Sequence, residues 1–139
     1  MAHWLYKSEP GVWSWAAQVA KGDTGTYWDG VRNPLANKNM KAMRVGERGF
    51  FYHSNEGKAV VGVVEVVAEW APDPNDAKGT FGAVTLKAVE ALPQPVTLAA
   101  IKADPRLAEM VLVKNSRLSV QPVSDEEWAI VRALGGLAP

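Results

Sequence analysis

Two short segments of the chain place aromatic rings beside side chains able to hydrogen-bond the edge of a flat ligand. Residues 28–33 read WDGVRN, and residues 51–58 read FYHSNEGK. The rings can stack, while the amide, hydroxyl, imidazole and guanidinium groups donate and accept hydrogen bonds in fixed directions. Every nucleobase has a π-face to stack on and a polar edge to read. The combination therefore indicates recognition of a nucleobase.

These residue types predict a specific division of roles. Stacking walls are expected from Trp15, Trp28 and Tyr52. The polar edge of the base is expected to be read by His53, Ser54 and Asn55. The predicted base-binding set is completed by Ser8, Gly30, Val31 and Asn33. Contacts with backbone phosphate are expected from Lys7, Arg32, Lys38, Lys41 and Arg117.

Several of these residues also have a purely structural interpretation. A tryptophan is more often part of a core than a ligand platform, because burying one contributes strongly to stability. On this ground Trp128 is predicted to be core, while Trp70 is left open between the two. His53 lies in an aromatic run, where a hydrogen-bonded structural histidine is the commoner outcome. Gly30 serves either a close backbone approach or a turn, and Arg117 either a phosphate or a surface ion pair.

The motifs of common enzyme classes are absent. The chain has no Gly-x-Ser-x-Gly elbow, Walker loop, Gly-x-Gly-x-x-Gly or His-Glu-x-x-His. A trio of Asp29, His53 and Ser54 can be written, but neighbours on a strand point to opposite faces. With no cysteine and two histidines, a zinc centre is not expected, and no cofactor is predicted.

We therefore predict a binding module without catalysis. Two alternatives remain open. One is an enzyme acting on a nucleotide-like small molecule, with His53 as acid or base. The other is a small-metabolite sensor that does not need nucleic acid.

The charges of the chain cancel overall but not locally. The net charge is zero, yet residues 29–48 carry five cations and two acids, whereas residues 65–109 carry seven acids and four cations. Such runs form either solvated faces or a small phosphate-facing patch beside the aromatic pocket. A patch of this size is expected to bind nucleic acid weakly and with strong salt dependence.

The length and composition indicate one globular domain over residues 1–139. The 139 residues are 47% hydrophobic and 22% charged, which is ordinary for such a domain. No stretch approaches the roughly 18 apolar residues of a membrane span, and no secretory signal is recognised. The expected location is cytoplasmic, with no membrane or metal partner.

The elements that must position these residues are mainly strands. The predicted strands cover residues 4–6, 49–54, 59–70, 81–90 and 118–123. The predicted helices cover residues 15–20 after Ser14, 34–43 from Pro34, 97–103 from Thr97, and a last helix from Ser124 to Gly135. Because strands do not alternate regularly with helices, we predict an α+β fold, a small, mostly antiparallel barrel or strongly curved sheet flanked by helices.

Several motifs together resemble the EVE domain family. They are KSEP at residues 7–10, SW at 14–15, WDGVRN at 28–33, FYHSN at 51–55 and SRLSVQPV at 116–123. The likeness follows the family's order from about residue 2 to 136, with a departure at Pro34-Leu35. It implies a fold in the PUA-like superfamily, related to the YTH readers. It also implies a pocket for a modified base, flipped out of DNA or RNA, and it implies no reaction.

Overall fold

Six strands form one open sheet in the computed structural model, which describes residues 1–139. The strands are β1 (His3–Ser8), β2 (Thr26–Tyr27), β3 (Arg48–His53), β4 (Ala59–Pro72), β5 (Gly82–Thr97) and β6 (Val120–Val123). Their order is β2-β5-β4-β3-β1-β6, and β1 and β3 are the one parallel pair. The predicted α+β, PUA-like class with a mostly antiparallel curved sheet is confirmed. Of the two forms predicted, the structure has the curved sheet, which is open because the edge strands β2 and β6 do not pair.

Five short helices flank the sheet. They are α1 (Trp15–Ala20), α2 (Pro34–Ala42), α3 (Leu98–Ala103), α4 (Val111–Lys114) and α5 (Asp125–Leu134). Side chains cap four of them, because oxygens of Ser14, Asn33, Thr97 and Ser124 accept from the first-turn amides. None of these helices has the length and apolar character that a bilayer crossing needs.

Alternation along the strands divides the apolar side chains between two cores. The first core, under α2, contains Tyr6 and Phe51, whereas the second core, under α3 to α5, contains Leu5 and Phe50. Neighbouring residues lie on opposite faces because the side-chain period of a strand is two. Trp128 is 8% exposed in the second core, so its predicted core position is confirmed.

The long hairpin of β4 and β5 carries side chains to both cores. Its register shifts at four places, including one between Val63 and Val64. Val63 lies in the second core and Val64 in the first, so the predicted coverage of this strand on both faces is confirmed. Each shift marks a bulge or irregularity, and bulges bend and twist a sheet, which curves it around the first core.

Parallel pairing brings the ends of β1 and β3 together at one end of the sheet. Because β1 and β3 are parallel, both leave the sheet at the same edge, where the Ser54 N–H donates to the Ser8 carbonyl at 2.9 Å. β2 pairs with β5, and the Trp28 N–H donates to the Val84 carbonyl at 2.9 Å. The Trp28 ring also packs edge to face against Tyr6 of β1 and Phe51 of β3, so the segment that follows β2 lies close to these strands on the face of the first core.

Candidate functional site

A cleft of about 890 Å³ opens between the end of β1 and the segment that follows β2. One wall comes from β1 and the turn after it, with Lys7, Ser8, Glu9, Val12 and Trp13. The other wall is the continuous segment of residues 25–33. Lys21 and Ser119 complete the lining. Seven of the predicted site residues meet here: Lys7, Ser8, Trp28, Gly30, Val31, Arg32 and Asn33.

Two indole rings line this cleft. Trp28 is 9% exposed and meets Tyr6 and Phe51 edge to face, with centroids 5.7 and 5.8 Å apart. Trp13 lies just before α1, and its Nε1–H donates to Gln18 Oε1 at 3.0 Å. Packing and hydrogen bonding thus hold both rings in place before any ligand binds.

Trp15, which was predicted to be a stacking wall, does not line the cleft. It is the first residue of α1, and its ring covers Gly62 so closely that a β-carbon there would collide with it. It also meets Phe51 edge to face at 5.4 Å. The signal for Trp13 was present in the sequence, since a helix cap at Ser14 puts Trp13 outside the helix and Trp15 in its first turn.

The segment of residues 52–55, predicted to contact the base, also lies outside the cleft lining. Tyr52 is 2% exposed in the second core, so its ring has no free face for stacking. The Nε2 atom of His53 accepts from the Trp15 N–H at 3.0 Å, and burial lowers the pKa of His53. Ser54 pairs with β1, and the Asn55 side chain donates to Glu9 Oε1 at 2.7 Å. This segment supports the first wall from behind.

The cleft offers both hydrogen-bond donors and acceptors. Asp29 is exposed at the cleft, and its carboxylate can only accept. Asn33 caps α2 through its side-chain oxygen, which accepts from Leu35 and Ala36 at 2.9 and 3.0 Å. Its amide NH₂ group is left to donate elsewhere. The Ser8 hydroxyl donates to the Trp13 carbonyl at 2.5 Å and so braces the first wall.

A buried carboxylate fixes the second wall. Asp73, 2% exposed, accepts from the Gly30 N–H and from an Arg32 guanidinium nitrogen, both at 3.1 Å, and from the Asn75 N–H at 2.8 Å. The Asn75 and Gly30 amides, followed by Arg32, lower the pKa of Asp73. Gly30 has φ +78°, a conformation that side chains disfavour. Sequence reasoning did not identify Asp73 as this partner.

The predicted phosphate contacts divide into two groups. Lys7 and Arg32 line the cleft; the Lys7 ammonium donates to the Ser116 carbonyl, and burial lowers the pKa of Lys7. Lys38, Lys41 and Arg117 are exposed outside it.

Lys41 and Arg117 lie outside the cleft lining, and their surroundings show how far from it they are. The Lys41 ammonium lies 4.6 Å from the centre of the Trp70 ring, on the exposed side of α2. Arg117 stands two residues before Ser119, which lines the cleft. Lys21, which was not predicted, adds a cation to the cleft itself.

The arrangement is suited to holding a flat, polar ligand. Two ordered indoles provide apolar surface, Asp29 and Asn33 provide an acceptor and a donor, and cations stand at the walls. No three His, Asp or Glu side chains lie close enough to hold a metal ion. A pocket of several hundred Å³ with few polar groups is typical of small-ligand sites.

The sequence of the chain matches the model of the EVE domain over residues 2–134. The chain belongs to the EVE domain family. The family match includes every residue that lines the cleft. The resemblance inferred from the motifs is therefore confirmed.

Solved structures similar to this EVE domain come from bacteria and from human. A protein of Agrobacterium tumefaciens is 54% identical with a TM-score of 0.96, over 99% of this chain and 95% of that one. A protein of Rhodopseudomonas palustris is 60% identical with a TM-score of 0.94, over 98% and 94%. Human THYN1, in a crystal structure with DNA containing 5-methylcytosine, is 32% identical with a TM-score of 0.89, over 100% of both chains.

Proposed function

We propose that this EVE domain is a reader of modified cytosine in DNA, which holds the base in the cleft without changing it. The observation that carries the proposal is the cleft itself, where ordered indoles and a polar edge occur together. The complex of human THYN1 with 5-methylcytosine DNA supports the same ligand class, since the two folds match over their full lengths.

The cleft residues suit the parts of a cytosine. Trp13 and Trp28 supply the apolar surface on which the ring rests. The Asp29 carboxylate accepts from the exocyclic amine of cytosine, and the Asn33 amide donates to a ring acceptor. A methyl group on the base adds apolar area that the indoles cover. Lys7 and Arg32 meet the flanking phosphates, with Lys38, Lys41 and Arg117 further out along the strand.

The hydrogen bonding and position of His53 favour a binding role over catalysis. Its Nε2 atom is occupied by a backbone amide, and its ring lies outside the cleft lining. The enzyme alternative relied on that imidazole as acid or base. The sensor alternative predicts that a free nucleoside binds as tightly as an oligonucleotide, whereas the phosphate contacts proposed here predict a clear gain with length.

The test is a titration of the purified protein with oligonucleotides that differ in one base. A strand with one 5-methylcytosine is compared with its unmodified counterpart, with RNA of the same sequence and with the free nucleoside. We expect the modified DNA strand to bind most tightly and to be recovered unchanged by mass spectrometry. Equal affinity for modified and unmodified strands would contradict the proposal, as would turnover of the base.

Trp13 gives the proposal a residue-level test. Stacking contributes about 1–3 kcal/mol per base, so Trp13→Ala should weaken binding of the modified strand roughly 5- to 150-fold. Trp13→Phe is the matched control, because it keeps an aromatic face while losing the hydrogen bond to Gln18. Thermal unfolding of both variants shows whether the fold is retained. Equal binding by wild type and Trp13→Ala would exclude this ring from the base site.

A further inference from the structure

One exposed apolar side chain stands at the cleft. Val12 is 79% exposed and lines the cleft. The other large apolar residues with high exposure, including Val19, Leu35 and Val45 at 50%, 47% and 55%, do not line it. Single exposed apolar residues are common on surfaces. The position of Val12 beside a base-sized cleft gives this one a possible partner.

The turn that carries Val12 is braced on several sides. The backbone amides of Val12 and Trp13 both donate to the Glu9 carbonyl at 2.9 Å. The Ser8 hydroxyl holds the Trp13 carbonyl at 2.5 Å, and the Asn55 side chain holds the Glu9 carboxylate at 2.7 Å. An apolar side chain on such a turn is presented to solvent with little backbone entropy left to lose on binding.

Removing a base from a duplex leaves a gap that must be compensated. Unstacking costs a few kcal/mol, and proteins that open base steps often insert an apolar side chain between the remaining bases. Val12 and Trp13 are adjacent residues of one turn, so a strand whose base is held by Trp13 passes close to Val12. Lys7, Lys21 and Arg32 line the same cleft and supply the positive charge that a phosphate backbone requires.

We propose that Val12 is a wedge that enters the duplex at the gap left by the flipped base. This inference rests on the proposed function and extends it from the base pocket to double-stranded DNA. The contact proposed for Val12 is with the gap between neighbouring base pairs of a duplex. A single strand has no such gap, so the contact is absent there.

The experiment compares two probes with two variants. The probes are a duplex with one 5-methylcytosine and the same modified strand alone. Val12→Ser should weaken duplex binding about tenfold, the order expected for losing one buried valine contact, and leave single-strand binding within about twofold of wild type. Val19→Ser, an exposed valine of α1 outside the cleft lining, is the matched control and should change neither affinity.

Each other result contradicts the wedge. Unchanged duplex affinity in Val12→Ser would remove the contact altogether. An equal loss on both probes would make Val12 part of the base pocket instead. Wild-type protein that discriminates the modified base in neither probe would overturn the proposed function, and the wedge with it. The substitution leaves both cores untouched, because Val12 is largely solvated.

Discussion

At the scale of single residues, the structure separates side chains that contact the cleft from side chains that support it. His53 belongs to the second kind, since its ring accepts a hydrogen bond from the Trp15 amide and packs edge to face on Phe51 at 5.6 Å. That bond requires a neutral ring with its proton on Nδ1. Protonation would place a second donor against the amide, so the state of His53 is coupled to the start of α1.

This coupling predicts a pH dependence of stability. Burial lowers the pKa of His53 below the ordinary 6.5, so the unfolded chain takes up the proton first as pH falls. Stability is therefore full above about pH 7 and declines as the pH drops through the ordinary histidine range. The free energy of unfolding, measured by denaturant titration from about pH 8 to 5.5, should fall across this window.

Variants of the two histidines show whether His53 causes the pH dependence. His53→Gln keeps an acceptor without titrating there, so it should flatten the pH dependence. His3→Gln, beside the exposed Asp125, should leave the slope at His53 in place. A profile that is unchanged in His53→Gln would show that another group causes the decline.

Residue types indicated the chemistry of the cleft, but strand alternation decided which residues reach it. The WDGVRN segment was predicted as a unit and lines the cleft as one. In the FYHSN segment the rings of Phe51 and Tyr52 are divided between the two cores. The same aromatic residue types occur at the end of a strand whether they face a ligand or a core. The sequence therefore did not show that Phe51 and Tyr52 belong to the cores.

At the scale of elements, the second wall of the cleft depends on a contact between distant loops. The carboxylate of Asp73 binds the Gly30 amide and the Arg32 side chain, 43 and 41 residues away along the chain. Without it, the Gly30 amide and the Arg32 guanidinium lose their shared acceptor. The segment of residues 28–33 would then be free to shift relative to β5.

Asp73→Asn tests this clamp. Its neutral amide is a weaker acceptor for Arg32, so we expect about tenfold weaker binding of the modified strand, from a wall that is less well ordered. Hydrogen exchange of the Gly30 amide should accelerate in the same variant. Asp125→Asn, an equal change of charge on exposed α5, is the control. Unaltered affinity and exchange in Asp73→Asn would mean that the wall is ordered without the carboxylate.

The elements themselves were predicted wherever local chemistry marks their ends. The predicted helix starts at Ser14, Pro34, Thr97 and Ser124 mark helices that the structure contains. The two-residue strand β2 and the four-residue helix α4 were missed, because neither is long enough to show a period. The parallel pairing of β1 with β3, which builds the end of the sheet at the cleft, was not predicted, because it joins strands about 45 residues apart and leaves no local signal.

At the scale of the whole molecule, zero net charge conceals an uneven distribution of charge that bears on the proposed DNA binding. The excess of cations in residues 29–48 follows the cleft wall and α2, where Arg32, Lys38 and Lys41 stand in succession. The excess of acids lies on the β4–β5 hairpin and the helices that follow it. Asp73 and Glu65 pair with Arg32 and Arg48, so the exposed lysines of α2, Lys38 and Lys41, are the cations that a strand can meet beyond the cleft.

This distribution predicts the salt dependence of binding. Each phosphate neutralised on a single strand contributes a slope of about −0.7 to log affinity against log salt, so two or three contacts give about −1.4 to −2.1. Lys38→Ala should make the slope shallower by less than one unit, since Lys38 is exposed on α2. In the free protein the Lys41 ammonium lies over the Trp70 ring. Lys41→Ala should therefore make the slope shallower only if Lys41 moves off that ring to contact a phosphate. Lys102→Ala, an exposed lysine on α3 beside the second core, should leave the slope unchanged. Affinity that does not vary with salt would confine recognition to the base pocket and make the cationic face of α2 a solvated surface alone.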